Sequence, residues 1–422
     1  MRKLGLSLTA AMVLAAGMTS AASAGALEEI ISNPKVNLEI RPRYEYASVK
    51  DNGKSAGKAF TVRTALGLNA NLFGVDGLGA EVQMINVANF GWIDDYNDLA
   101  GHGTEYDVIA DPPQTRVTQA NVKYSINGLT AVVGREMVVL DNARFIGNVG
   151  WRQMPQTYDL AAVIYNGVEN LSLLGAYVNR VHTIKKDGKI DTGSVLLHGT
   201  YKAMPALNIT IYDYMIQNFA NHIGIRLTGK VALDNDMKIS YAAEYAKQAD
   251  PTLTEEGDPI LVPGVADPDN IEQDANYYNI SAALNYAGFT VGLGYEVLSD
   301  KGDGDMPFWT PLATLHAHNG WADVFLKTPN EGLEDLTVKL GYNMGEYGKI
   351  IGIYHDFKAN EENAAGDDDL GNELDIAYKY KIVKGLGLLL KYAKYNAGDD
   401  SFGKKDVTKY WIQLDYKFSA KM

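Results

Sequence analysis

Between Gly134 and Asp159 the chain carries its densest mixture of charge and aromatic side chains, reading GREMVVLDNARFIGNVGWRQMPQTYD. Arg135, Asp141, Arg144, Arg152 and Asp159 stand among Phe145, Trp151 and Tyr158, with Gly147 and Gly150 as hinges. The runs on either side alternate apolar and polar residues, as half-buried strands do, and this stretch breaks the alternation. Residues 139–155 are long for a connection, and long ordered loops usually serve function. The reading is a loop folded into the lumen of a β-barrel, where fixed charges narrow a pore. The plainer alternative is an exposed loop whose charges are simply solvated.

Further charges fall on either side of this loop. Beyond Arg2 there are nine arginines, at 41, 43, 63, 116, 135, 144, 152, 180 and 226, and none lies past Arg226. Arg41, Arg43, Arg63, Arg180 and Arg226 share the polar parity of their strands, so a barrel would point them inward. On the lipid face an arginine near mid-membrane costs ~2–4 kcal/mol. Guanidinium keeps its charge and offers a fork that matches carboxylates and phosphates. A file of such groups would draw anions through a lumen; alternatively they pair with Glu39, Glu45, Glu81 and Asp159 and brace the wall. The candidate pore-lining set is Arg41, Arg43, Arg63, Arg135, Asp141, Arg144, Arg152, Asp159, Arg180 and Arg226.

The elements that must position these residues are strands. Arg2 and Lys3 precede an apolar run from Leu4 to about Met18, and Ala22-Ser23-Ala24 follows. That pattern is a secretory leader over residues 1–24, too short and wrongly flanked for a membrane helix. Residues 25–422 then form one barrel domain. No later apolar run approaches the roughly 18–20 residues that a spanning helix needs. Cysteine is absent, so an exported chain of this size relies on hydrogen bonding and packing, which a closed barrel supplies by pairing every strand.

Period-two alternation recurs along the chain. Val36, Leu38, Ile40, Tyr44 and Tyr46 alternate with Asn37, Glu39, Arg41, Arg43 and Glu45; Phe60, Val62, Leu66, Leu68 and Leu72 do so around Arg63, Asn69 and Asn71. Asn127-Gly128 is a strong two-residue hairpin signal. Short joins such as 204–206 and 234–236 alternate with long ones such as 249–275, the asymmetry of an outer-membrane barrel. Eighteen strands result, at 34–46, 60–72, 78–90, 115–126, 129–138, 157–166, 171–184, 193–204, 207–218, 221–233, 237–248, 276–286, 289–298, 335–345, 348–358, 372–382, 386–396 and 407–418. The segment 320–327 is left out, because an even strand number keeps both ends on one side. Residues 299–334 become one long outer loop that dips inward with Trp309, His316, His318, Trp321 and Asp323. Tyrosines near strand ends, among them Tyr124, Tyr201, Tyr286 and Tyr392, suit the girdles where rings sit at headgroup level.

Other chemistries fare worse. His316-Ala317-His318 lacks a third ligand at useful spacing, so no metal site is expected. Gly74, Gly77 and Gly79 precede neither a helix nor Gly-Lys-Ser/Thr, which leaves a turn rather than a phosphate loop. No Gly-x-Ser-x-Gly is present, and neither an enzyme nor a cofactor is expected. The net charge of −14 argues against nucleic acid as a partner. Acidic turns such as Asp367-Asp368-Asp369 could hold divalent cations that bridge lipopolysaccharide, although solubility explains them as well.

Gly134-Arg135-Glu136, Asp141-Asn142-Ala143-Arg144-Phe145-Ile146-Gly147, Trp151-Arg152-Gln153 and Thr157-Tyr158-Asp159 resemble the motif of the alginate-export porin family. His316 to Asp323 (HAHNGWAD) and Tyr354-His355-Asp356-Phe357 resemble it too. These are 18-stranded barrels, more distantly related to substrate-specific porins for carboxylates. The resemblance implies the architecture and an anion-conducting pore, not the cargo.

The expectation is therefore an all-β protein: a transmembrane antiparallel β-barrel with inward-folded constriction loops in a bacterial outer membrane. It passes small hydrophilic, anionic solutes or oligosaccharides by facilitated diffusion, as monomer or trimer. Outer-membrane lipid, lipopolysaccharide and the assembly machinery are its expected partners, the last through the aromatic strand 407–418. The rival is a secreted soluble all-β protein that binds or degrades carbohydrate.

Overall fold

A computed structural model describes residues 30–233, 236–254 and 272–421. The leader expected at 1–24 lies outside the described residues, as do residues 234–235 and most of the acidic join 249–275.

The strands run β1 (Ile31–Val49), β2 (Gly57–Leu72), β3 (Leu78–Ala88), the two-residue β4 (Asp94–Asp95), β5 (Gln114–Ile126) and β6 (Leu129–Glu136). Next come β7 (Thr157–Tyr165), β8 (Leu171–His182), β9 (Lys189–Met204), β10 (Leu207–Ile216), β11 (Ala220–Ala232) and β12 (Lys238–Ala249). The chain ends with β13 (Asp274–Tyr286), β14 (Phe289–Leu298), β15 (Leu333–Asn343), β16 (Lys349–Lys358), β17 (Asp369–Val383), β18 (Leu386–Asn396) and β19 (Val407–Lys421). Apart from β4, which lies along β2 in a loop, each pairs antiparallel with its neighbours in sequence. β1 and β19 close the circle, from Lys35 opposite Lys421 to Val49 opposite Val407. The result is a closed 18-stranded barrel, and all eighteen strands read from the alternation are present. Residues 299–332 hold no strand, only a 3-10 turn at Leu315–Ala317.

One end of the barrel carries tight turns. Asn127 and Gly128 have φ of 49° and 80°, the doubly positive pair of a type I′ hairpin, which Asn-Gly adopts with little strain. The other end carries the long loops 89–113, 137–156 and 299–332, of which the last two fold inward.

The alternation sorts side chains to two surfaces. Ile280, Leu293, Leu340 and Ile412 point outward and are 64%, 61%, 58% and 50% exposed. Fully burying one such side chain is worth about 1.5–3 kcal/mol, so a continuous outer belt of them requires an apolar surround. Tyr124, Tyr201, Tyr286 and Tyr392 face out with the belt. Inside, charged and hydrogen-bonding groups line the strands. The inward loops bring their own apolar core, in which Phe145, Ile146, Phe308, Leu312 and Phe325 pack against Tyr212, Tyr277, Phe357 and Trp411 of the wall.

Candidate pore constriction

Loop 137–156 crosses to the wall formed by β1, β2 and β19. There Arg41, Arg43, Arg63 and Arg152 meet within a lattice of carboxylates. Arg152 donates to Glu45 at 3.0 Å and to Asp323 at 3.1 Å, while Arg43 donates to Gln413 at 2.8 Å and pairs with Asp111 at 3.4 Å. Arg41 reaches Asp415 at 2.9 Å, Glu39 at 3.1 Å and the carbonyl of Gly150. Arg63 lies 3.5 Å from Glu39. Arg43 is wholly buried beneath the ring of Trp151, 4.1 Å from its centroid. Burying an unpaired guanidinium would be costly, so pairing on this scale is what permits loop and wall to meet.

The remaining candidates form separate groups. Arg135 forks onto Asp159 at 2.6 and 3.0 Å, and His182 donates to the same carboxylate at 2.8 Å. Arg180, on the neighbouring strand, pairs with Asp191. Arg144 lies 3.2 Å from Glu296 and 5.6 Å from the centroid of Tyr277. Asp141 accepts from His198 at 3.1 Å, and Arg226 pairs with Glu244. Each arginine of the candidate set thus has a carboxylate partner. Arg116 instead donates to the carbonyls of Thr183 and Pro155.

Loop 299–332 is held even more closely. Its backbone joins loop 137–156 where Gly147 N–H donates to Leu312 and Thr314 N–H donates to Ala143. Asn319 donates to Glu296 at 2.7 Å and to Asp335 at 3.2 Å. Trp321 N–H and Ala322 N–H donate to Asp375 and Glu373 of β17. Gly320, at φ 85°, lies so close to the Glu373 carboxylate that a Cβ would collide with it. Asp323 then accepts from His316 at 2.7 Å, Lys409 at 2.8 Å and Arg152 at 3.1 Å. Burial opposes its charge, but these three donors outweigh that and hold its carboxyl well below the ordinary range. Burial drives His316 down to about 3, and burial with nearby Arg144 drives His318 down to about 4. Both imidazoles are neutral at physiological pH. They belong to different networks and share no site; among the described residues no cluster of His, Asp and Glu could hold a metal ion.

This architecture has relatives among solved structures. OccAB4 and OccAB3 of Acinetobacter baumannii superpose with TM-scores of 0.71, at 13% and 16% identity, over 92% of this chain and 99% of each of theirs. OccK8 (OprE) of Pseudomonas aeruginosa superposes with a TM-score of 0.69 at 14% identity, over 93% and 99%. The chain has the Occ barrel fold. No family model matches the sequence, and neither does any curated protein.

Within this Occ-type barrel, a cavity of about 740 Å³ opens from the turn end and runs up to Ala317, His318 and Asn319. A second, of about 810 Å³, lies on the loop side against Val324 to Glu331. Loop 299–332 borders both. The first is lined by Lys202, Lys230 and Lys339, which have no carboxylate partner among the described residues, and by amide and hydroxyl side chains such as Asn208, Asn279 and Ser281. Sequence reasoning overlooked these lysines, although each continues the inward parity of a strand: Lys202 after Thr200, Lys230 after Thr228, Lys339 after Thr337. It also overlooked Asp111, which accepts from Gln153 N–H at 2.7 Å and pairs with Arg43.

Proposed function

We propose that this protein is a bacterial outer-membrane channel that passes small hydrophilic anions by diffusion, without a covalent step. The observation that carries the channel reading is a closed barrel whose apolar belt encloses a polar lumen narrowed by two inward loops. Such a belt suits lipid, and a lumen of this kind replaces part of a solute's hydration while the loops set size and charge preference. A soluble carbohydrate-binding protein has no use for the belt.

The anion preference is supported by the lysines. Carboxylates neutralise the candidate arginines, whereas Lys202, Lys230 and Lys339 present uncompensated charge to the cavity. The acid of the outer loops is screened beyond ~8 Å at physiological ionic strength, while charge inside a narrow lumen acts at short range and is focused by its walls. Hydroxyl and amide groups beside the lysines suit polyhydroxylated acids, and the resemblance to alginate-export porins supports an anion-conducting pore without naming its cargo. The leader at 1–24 would deliver the chain for export, the assembly machinery would insert it, and lipopolysaccharide would surround its loop end.

Reversal potentials in planar bilayers under a salt gradient test this. The expected sign is that of an anion-preferring pore. A cation preference would overturn the charge assignment, and a folded protein that forms no channels would overturn the channel itself.

A further inference from the structure

Lys391 points inward from β18 into a box of indole rings. Its ammonium lies 3.8 Å from the ring centroid of Trp321, 4.0 Å from that of Trp151 and 5.1 Å from that of Trp411. It donates to His316 Nε2 at 2.8 Å, which leaves the other ring nitrogen of His316 to donate to Asp323. The His316 ring lies flat against Trp151, with centroids 4.7 Å apart and planes at 6°. No carboxylate among the described residues comes within ion-pair distance of Lys391. The ammonium therefore sits against π faces, which attract cations through their quadrupoles most strongly where water is excluded, with the Asp375 and Asp323 carboxylates acting on it from beyond ion-pair distance.

The origin of the three rings is what gives the box a consequence. Trp151 belongs to loop 137–156, Trp321 to loop 299–332 and Trp411 to β19 of the wall. One ammonium thus joins both inward loops to the barrel. We propose that the box is an alkylammonium site whose resident occupant is the tethered Lys391 side chain, and that its occupation sets the bore by pinning the two loops together. The consequence for the bore rests on the channel reading above; the alkylammonium site does not.

Three of the five tryptophans of the chain are in the box, so intrinsic fluorescence reports on it. Lys391→Ala and Lys391→Met are purified in detergent, and folded barrel is scored by heat-dependent gel mobility. Each is titrated with n-propylammonium chloride, using sodium chloride at equal ionic strength as control. Folded Lys391→Ala is expected to show a saturable change in emission with n-propylammonium only. Wild type and Lys391→Met, whose boxes are filled, are expected to show none. In bilayers Lys391→Ala should open to a larger, several-fold noisier conductance that n-propylammonium returns toward wild type. Lys391→Met, filling the space without charge, should stay noisy. A folded Lys391→Ala without a saturable response overturns the site. A Lys391→Met channel as quiet as wild type overturns the clamp, and so does failure of both variants to fold, which would make Lys391 a requirement of the wall. If wild type forms no channel, the function proposed above fails and the fluorescence arm still decides the alkylammonium site.

Discussion

Asp323 in the long inward loop and Lys409 in the last strand meet at 2.8 Å, 86 residues apart in the chain. The same carboxylate receives Arg152 from the other inward loop and His316 from its own. Three donors that would otherwise repel or stand empty are gathered on one acidic side chain.

Asp323→Asn should therefore free the loops while leaving the barrel closed. Breaking a buried ion pair from one side costs about 3–5 kcal/mol, here charged to loop docking, because the strand ladder is untouched. The expected outcome is faster limited proteolysis within 299–332 and larger conductance, with heat-dependent gel mobility retained. Unchanged proteolysis would mean that Asp323 does not hold the loop.

Gly320→Ala is a sharper test of the same docking. The backbone is left-handed there and a Cβ would strike Glu373. Strain in a positive-φ position and the clash together should displace residues 320–323, whereas Gly345→Ala, also at positive φ but in open space at the turn end, should leave conductance unaltered. Equal effects of the two would remove Glu373 from the account.

Acid should loosen the loop. His316 and His318 are held neutral in the docked state, at about 3 and about 4, whereas released imidazoles titrate near 6.5. As pH falls below 6.5 the released loop binds protons that the docked loop does not, so docking weakens progressively toward pH 4. Asp323, whose docked carboxyl is held low, adds to the loss in the same direction at still lower pH. Conductance noise recorded from pH 7 to pH 4 should rise in wild type and stay flatter in His316→Asn/His318→Asn. A profile independent of pH in wild type would contradict the docking chemistry.

Replacing Lys202, Lys230 and Lys339 together with glutamine should move the reversal potential toward cations. Arg41→Gln/Arg63→Gln, by contrast, removes charge already matched by Glu39 and Asp415, and its larger effect should be on folded yield. If the arginine pair shifts selectivity more than the lysine triple, the free charge of the lumen lies with the arginines.

Asp213 offers a separate check on the lipid belt. It faces outward between Leu197 and Ile223, which are 45% and 47% exposed, and one of its carboxylate oxygens has no hydrogen-bond partner. Asp213→Leu should stabilise the barrel in lipid vesicles by up to about 1 kcal/mol, since acids on the lipid face cost less than the ~2–4 kcal/mol of a mid-membrane base. Urea unfolding in vesicles measures it, and destabilisation would place Asp213 against something other than lipid.

The strands were legible because a lipid-facing and a water-facing surface impose period two on every one of them, and Leu38 or Leu68 cannot change sides without moving its whole strand. The inward loop was legible for the opposite reason, as the place where that period fails. Ion pairing was legible only in part. Glu39, Glu45 and Asp159 do take arginines, as the bracing alternative had it, while Glu81 faces Lys123 and the other partners were hidden. Arg43 and Asp111 are 68 residues apart, Arg152 and Asp323 are 171 apart, and Arg41 and Asp415 are 374 apart. No local spacing announces a partner across a barrel, so an arginine that braces and one that conducts look alike in sequence. Lys391 was hidden too, because its surroundings come from three distant tryptophans. His316 and His318 looked like a pair only because the chain numbers them so; a 3-10 turn sends them to different neighbours.

The seam between β1 and β19 also dictates the order in which this molecule can be made. Tyr46 finds Tyr410 and Leu38 finds Phe418 only after nearly the whole chain has been synthesised. Hairpins such as β5–β6 can form as soon as they emerge, but the circle has no local route to closure, and non-local pairing is slow. The entropy of joining such distant ends is modest, since each doubling of a loop adds only about 0.6 kcal/mol. The hazard lies in the waiting. Until the last fifteen residues of β19 arrive, two unpaired strand edges stand open, and open edges recruit other chains. A truncation that removes β19 should therefore yield aggregate rather than a seventeen-stranded barrel.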